Sequence, residues 1–219
     1  MNKTQLLNEL KKEVEKCWRC PLYRTRTKVV FGTGSVNAKL MIISEAPGRW
    51  EDIKGEPFVG RAGKILDELL ESIGIKREDV YVANILKCRP PQNRNPQKEE
   101  IEACTPFLLK QIEIIQPEVI CTLGNYSTAF IMEKYGLGEK VQGISKIHGK
   151  IFEVFKKPEQ ISLLSLDNKE DEENYSSKIR YFGSEKGLKI IPLYHPAVAT
   201  YNINMKGTLK EDFKVLKSL

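Results

Sequence analysis

No run of about 18 apolar residues occurs anywhere in the 219-residue sequence, which argues against a membrane-spanning helix. Nor does the chain open on a hydrophobic stretch. Residues 1–16 read MNKTQLLNELKKEVEK, and leucines at 6, 7 and 10 describe an amphipathic helix where a secretory signal would be uniformly apolar. No internal repeat is visible. Cysteines are few and odd in number, five, which does not suit a secreted disulfide framework and points to a reducing compartment, read as cytoplasmic, where thiols serve metals. A second C-x2-C knuckle is also missing. Zinc ribbons usually close one tetrahedral ion with two such knuckles, so a simple ribbon is disfavoured.

What is present is an ordinary globular composition. With 41% hydrophobic and 29% charged residues, the chain can bury one good core, and a single domain over 1–219 is the expectation. A net charge of +6 suits a polyanionic partner without demanding one. Lys87, Arg89, Arg94 and Lys98 surround Cys88, and Lys206, Lys210, Lys214 and Lys217 recur at helical spacing near the C-terminus, where a solvated helix face is the plainer reading.

Four of the cysteines, Cys17, Cys20, Cys88 and Cys104, form one short knuckle and two distant additions. Thiolates gathered from separated segments suit an iron–sulfur cluster, and Pro21 after Cys20 echoes the Cys-Pro ending of some ferredoxin ligand runs. Cys121 lies within the apolar run Val119–Leu123 and reads as core filling.

Apolar runs at Leu40–Ile43, Val80–Leu86, Val119–Leu123 and Leu188–Leu193 read as buried strands. Between them fall helical stretches at about Arg61–Ile73, after Asn95-Pro96, and after Gly124. Asn95 is expected to cap the second of these, with Pro96 at its first position and Pro106 bending it. The alternation predicts an α/β fold, a three-layer α/β/α arrangement around a mostly parallel, roughly four-stranded twisted sheet. In such sheets working residues collect beyond the carboxyl ends of strands. Here those ends are Ser44–Gly48, Asn84–Asn93 and His195, three segments expected to meet at one cleft. Residues 157–187, with the polar stretch DNKEDEENYSS, interrupt the rhythm and read as an insertion.

Taken together, Cys17-x2-Cys20, SEAPGRWED (44–52), PFVGRAG (57–63), YVANILKCRPPQNRNP (81–96), Cys104 and HPA (195–197) resemble the iron–sulfur, family 4 uracil-DNA glycosylases known widely from archaea and thermophilic bacteria. The resemblance covers most of the chain outside 157–187. It implies a monofunctional DNA glycosylase that flips uracil out of DNA and hydrolyses its N-glycosidic bond, leaving an abasic site. It also implies a structural [4Fe–4S] cluster on Cys17, Cys20, Cys88 and Cys104, and, by family analogy, a sliding-clamp contact, although no clamp-binding motif stands out. Uracil-containing DNA is the implied partner, and a monomer the implied state.

By the same resemblance, His195 contacts the leaving base, Asn84 reads uracil through its planar amide, and Phe58 stacks on the flipped ring. Glu45 belongs to the base pocket, lined also by backbone of Ala46 and Pro47, while Glu51 is the more plausible carboxylate for positioning water or stabilising the sugar cation. Each residue has a plainer alternative. These are a structural strand-end role for His195 and Asn84, a core position for Phe58, and solvated loop charge for either glutamate. Arg89 and Arg94 are candidates for phosphate contact. Other uracil glycosylases carry an aspartate where this chain has Ala46, and Ser44 replaces the commoner glycine. The segment Ala197–Tyr201 is placed like the wedge that fills the gap left by a flipped base, but lacks an obvious leucine. Relatives that stay attached to their abasic product carry a histidine where this chain reads QNRNPQK, which disfavours that chemistry. The rival from another class is an iron–sulfur module that binds nucleic acid or transfers electrons without glycosylase activity.

Overall fold

The computed structural model describes residues 1–154 and 187–218. The stretch read as an insertion, 157–187, therefore lies outside the described residues except for Gly187. Helix α1 (Lys3–Glu15) is opened by a reciprocal cap between Asn2 and Gln5 and buries Leu7, Leu10 and Val14, leaving Leu6 outward. After it come β1 (Thr33–Gly34), β2 (Leu40–Ser44), α2 (Arg49–Lys54), α3 (Arg61–Ser72), β3 (Tyr81–Asn84), α4 (Lys98–Ile115), β4 (Val119–Leu123) and α5 (Asn125–Lys134). The described chain ends with α6 (Ile144–Ile147), β5 (Phe152–Val154), β6 (Leu188–Leu193), α7 (Val198–Tyr201) and α8 (Met205–Lys214).

Among the described residues the sheet has six strands, in the order β1-β3-β2-β4-β6-β5. The four expected strands pair in parallel, and β1 and β5 add antiparallel edges. The strand count therefore exceeds the expected four by two pieces of two and three residues, too short to leave a periodic signal. Alternation along each strand feeds two cores. Met41, Ile43, Tyr81, Ala83, Ile120 and Ile190 face the layer of α1, α4 and α5. Ile42, Val82, Cys121, Leu123, Ile191 and Leu193 face α3, α7 and α8. Cys121 is fully buried in the second core, as its apolar run implied.

Two local expectations are corrected. The helix carrying Cys104 begins at Lys98, not at Asn95-Pro96. Gln97 is the cap, because the Glu100 carboxylate accepts the Gln97 N–H at 2.9 Å. The helix runs on past Pro106 to Ile115. Lys87, counted among the surface cations around Cys88, is instead 1% exposed. The C-terminal lysines do what the plainer reading said. Lys206 meets Glu68 at 3.1 Å, Lys214 meets Glu211 at 2.7 Å, and Lys210 and Lys217 are exposed.

Candidate functional site

The order of the parallel strands, β3-β2-β4-β6, reverses direction of growth beside β2, and the loops leaving β2, β3 and β6 open a cavity there of about 370 Å³. Its walls include Glu45, Ala46, Pro47, Glu51, Phe58, Asn84, Arg94 and His195. The three predicted segments do converge, and the volume lies in the range of small-ligand sites, roughly 300–1,000 Å³. Register fixes two of the walls, since Ser44 stands beside Asn84 in the ladder. Past the strand ends, the Ile85 N–H donates to the Ser44 carbonyl and the Leu86 N–H to that of Glu45, stitching the two loops together.

His195 lies two residues beyond β6, where the Ala197 N–H donates to its Nδ1 at 3.1 Å. With that nitrogen accepting, the neutral ring carries its proton on Nε2. Burial pushes the imidazole down to about 4, so the ring is neutral at physiological pH. Phe58 stacks beside it with centroids 5.5 Å apart and planes inclined by 23°. This arrangement has a consequence for acid stability. The unfolded imidazole takes up a proton near its ordinary value of 6.5, whereas the folded ring does so only near 4. Between those values the unfolded chain binds more protons, so His195 makes stability fall as pH drops from about 6.5 to about 4, and contributes no slope above that window. Thermal midpoints measured from pH 7 to 4.5 are expected to decline less in His195→Asn than in the wild type.

Asn84 is 2% exposed and presents its side-chain amide at the cavity wall. Its main-chain carbonyl accepts from Lys87 Nζ at 2.9 Å, and the same ammonium donates to Gln111 Oε1 at 2.6 Å. Gln111 Nε2 in turn donates to the Phe31 carbonyl and the Tyr81 hydroxyl. A buried polar network in which each side-chain N and O has a partner thus braces the strand end from behind. Burial also pushes the Lys87 ammonium down, to about 8. Sequence reasoning missed this support, because buried lysines and glutamines are rare and nothing in the local pattern marks them.

Glu45 is partly buried, and desolvation raises its carboxyl above the usual range. Glu51 lies on the first turn of α2, and its Oε1 accepts the N–H groups of Val59 and Gly60, each at 3.1 Å. Arg94 grips the Glu100 carboxylate with both terminal nitrogens, at 2.9 and 2.6 Å, and donates to the Asn95 carbonyl as well. Glu100 is 1% exposed, so this fork compensates a buried charge. Arg89 is outside the cavity lining, and its Nε donates to the Asn93 side chain at 2.7 Å.

On the other side of the Asn84 loop, Cys17, Cys20, Cys88 and Cys104 line one small cavity together with Val14 and Phe107. Three sulfurs accept hydrogen bonds: Cys104 from the Lys87 N–H at 3.2 Å, Cys88 from Arg26 at 3.3 Å, and Cys17 from the Arg19 N–H at 3.5 Å. Arg26 had no signal in the sequence. Among the described residues no three His, Cys, Asp or Glu side chains gather closely enough to hold a metal ion. Four thiols spaced around a shared hollow fit a polynuclear cluster better, since each iron takes its own thiolate. Burial raises the Cys104 thiol to about 12 and shifts Cys20 and Cys88 upward, so thiolates at these positions need the compensation that N–H donors and bound metal provide.

The chain was compared with known proteins. Residues 31–216 match the family model described as the uracil DNA glycosylase superfamily. The type-4 uracil-DNA glycosylase of Archaeoglobus fulgidus is 39% identical over 213 residues, covering 97% of this chain and 92% of its own. That of Sulfurisphaera tokodaii is 40% identical over 214 residues, 97% and 84% of the two chains, and that of Thermotoga maritima 38% over 216 residues, 98% and 94%. With a cavity assembled from the predicted strand ends, a separate cage of four thiols and this near-complete match, the chain belongs to the uracil-DNA glycosylase superfamily, within its type-4 branch.

Proposed function

We propose that this chain is a monofunctional uracil-DNA glycosylase folded as one domain, and that the cavity between Phe58, Asn84 and His195 receives a uracil turned out of the DNA stack. The observation that carries the reading is the pairing, across one base-sized cavity, of a planar amide with a neutral imidazole whose Nε2–H has been freed by the Ala197 N–H on Nδ1. The target bond is inaccessible in a stacked duplex, so extrusion comes first. Asn84 then offers its carbonyl oxygen to uracil N3–H and its NH₂ to O4, a polarity that cytosine mismatches. Phe58 supplies a stacking surface, worth roughly 1–3 kcal/mol per base in single-strand binders.

As the bond between N1 and C1′ breaks, its electron pair moves onto the uracil and positive charge gathers on the sugar. The Nε2–H of His195 donates to uracil O2, where negative charge accumulates, and stabilises the departing anion. A water oxygen then bonds to C1′ and its proton passes to solvent, leaving free uracil and an abasic sugar in an uncut backbone. Glu45 is assigned the negative character beside the sugar. Arg89 is assigned phosphate contact, a sequence-independent contribution weakened by salt. Cys17, Cys20, Cys88 and Cys104 would hold a [4Fe–4S] cluster that cross-links the N-terminal knuckle, the Asn84 loop and α4.

The test is incubation with a uracil-containing oligonucleotide in U:G, U:A and single-stranded contexts, followed by alkaline cleavage of abasic sites. Release well above a His195→Ala control is expected. Release no greater than that control, together with reversible electron transfer to a partner, would instead favour the binding or redox module.

A further inference from the structure

Glu51 lines the cavity, and its Oε1 is already engaged by two main-chain donors, Val59 N–H and Gly60 N–H, both at 3.1 Å. These two residues directly follow Phe58 and lead into α3, whose cap, Gly60, has no capping side chain of its own. The carboxylate therefore satisfies orphan donors at that entry and lies favourably at the positive end of the helix. Phe58 itself adopts φ 57°, a left-handed conformation that disfavours an aromatic residue. Two features hold it there. One is Glu51, fixing the next two amides. The other is Gly63, where any side chain would collide with the Phe58 carbonyl. The outcome is the Phe58 ring stacked beside His195 in the cavity.

We infer that Glu51 is a positioning residue, whose carboxylate clamps the Val59–Gly60 backbone and so sets Phe58 as the stacking wall of the base pocket, in place of the water-positioning role that the family resemblance implies. The inference rests on the reading of the cavity as a uracil pocket. Its chemistry separates it from water activation. A clamp needs an acceptor oxygen, which glutamine retains, whereas a water-activating group needs the carboxylate's charge, which glutamine lacks.

The experiment compares Glu51→Gln, Glu51→Ala, Phe58→Ala and the Glu51→Ala/Phe58→Ala double variant in the iron-loaded protein. It measures the Kd for free uracil by equilibrium titration alongside kcat and KM on a uracil-containing oligonucleotide. Glu51→Gln is expected to stay within about threefold of the wild type in every quantity, since both amides keep a partner. Glu51→Ala is expected to weaken free-uracil binding and raise KM by about 10- to 30-fold, the scale set by two unpaired, part-buried donors and a displaced ring. The double variant should bind uracil no worse than Phe58→Ala, because both changes remove the same wall. Glu51→Gln as inactive as Glu51→Ala, with uracil affinity unchanged in both, would overturn the inference. So would additive losses in the double variant. A wild-type chain that binds uracil and shows this cycle, yet releases no uracil from DNA, would uphold the clamp and refute the glycosylase reading.

Discussion

Replacing His195 with alanine is expected to slow uracil release by about 10²–10³-fold, with little change in the affinity for uncleaved DNA. The loss should fall on kcat because the Nε2–H acts where charge develops. Uracil O2 carries modest charge in the bound substrate and much more as the bond to the sugar lengthens, so the donor stabilises the transition state more than the ground state. The ring is well placed for this. Ala197 fixes its orientation through Nδ1, and burial keeps it neutral, pushed down to about 4, so that no ammonium-like charge must be desolvated when the base enters. A base that fills the cavity displaces water from it, which strengthens the same hydrogen bond. The substitution should leave the fold intact. A Cβ built at Gly124 would sit at ordinary contact distance from the His195 Cβ, 3.7 Å, and alanine keeps that Cβ. Single-turnover rates on a saturated uracil-containing oligonucleotide, with binding measured separately on a uracil-free duplex, check the prediction. A rate within threefold of the wild type would remove His195 from the chemistry.

The residues proposed to act at strand ends were legible because strand ends are legible. Isoleucine, valine and leucine runs located the four parallel strands, and in a sheet of that kind whatever follows each run is delivered to the same edge. Ser44–Gly48, Asn84 and His195 could therefore be placed before any coordinates. The edge strands could not, since β1 and β5 depend on pairing and have no periodicity of their own. Side-chain partnerships across the fold were equally hidden. The sequence Asn95-Pro96 carries a strong helix-start signal, yet the start shifted because Glu100, buried and gripped by Arg94, draws the cap to Gln97. Arg94 looked like a phosphate ligand and spends its fork on that carboxylate. Lys87 looked like surface charge and lies at the centre of the network behind Asn84. Local propensity predicts where the chain runs; long-range pairing of polar groups decides what a given charge is for.

Substituting serine for Cys104 should have the largest effect on stability, and comparison with Cys121 makes the cause separable. Cys104 lies on α4, and its sulfur accepts the N–H of Lys87, the residue whose ammonium holds the Asn84 carbonyl. A lost ligand therefore removes more than one bond to metal. It leaves three thiols around the small hollow, loosens the knuckle of Cys17 and Cys20 from α4, and weakens the support of the main chain at Asn84. Loss of a structural metal belongs with changes exceeding about 4 kcal/mol, which for a chain of this size corresponds to a drop in thermal midpoint of roughly 10 °C or more. Cys121 is as deeply buried but lies in β4 among aliphatic side chains. Cys121→Ala removes one sulfur from a packed core and should cost about 1 kcal/mol, with full iron content. The measurements are iron and acid-labile sulfide per chain, thermal midpoint, and free-uracil affinity for both variants. If the cage is structural, Cys104→Ser loses iron, stability and uracil affinity together while Cys121→Ala keeps all three. Retention of uracil affinity by an iron-free Cys104→Ser protein would break the mechanical link between the cage and Asn84, because the path through Lys87 leaves no way for the pocket to survive the loss of its anchor.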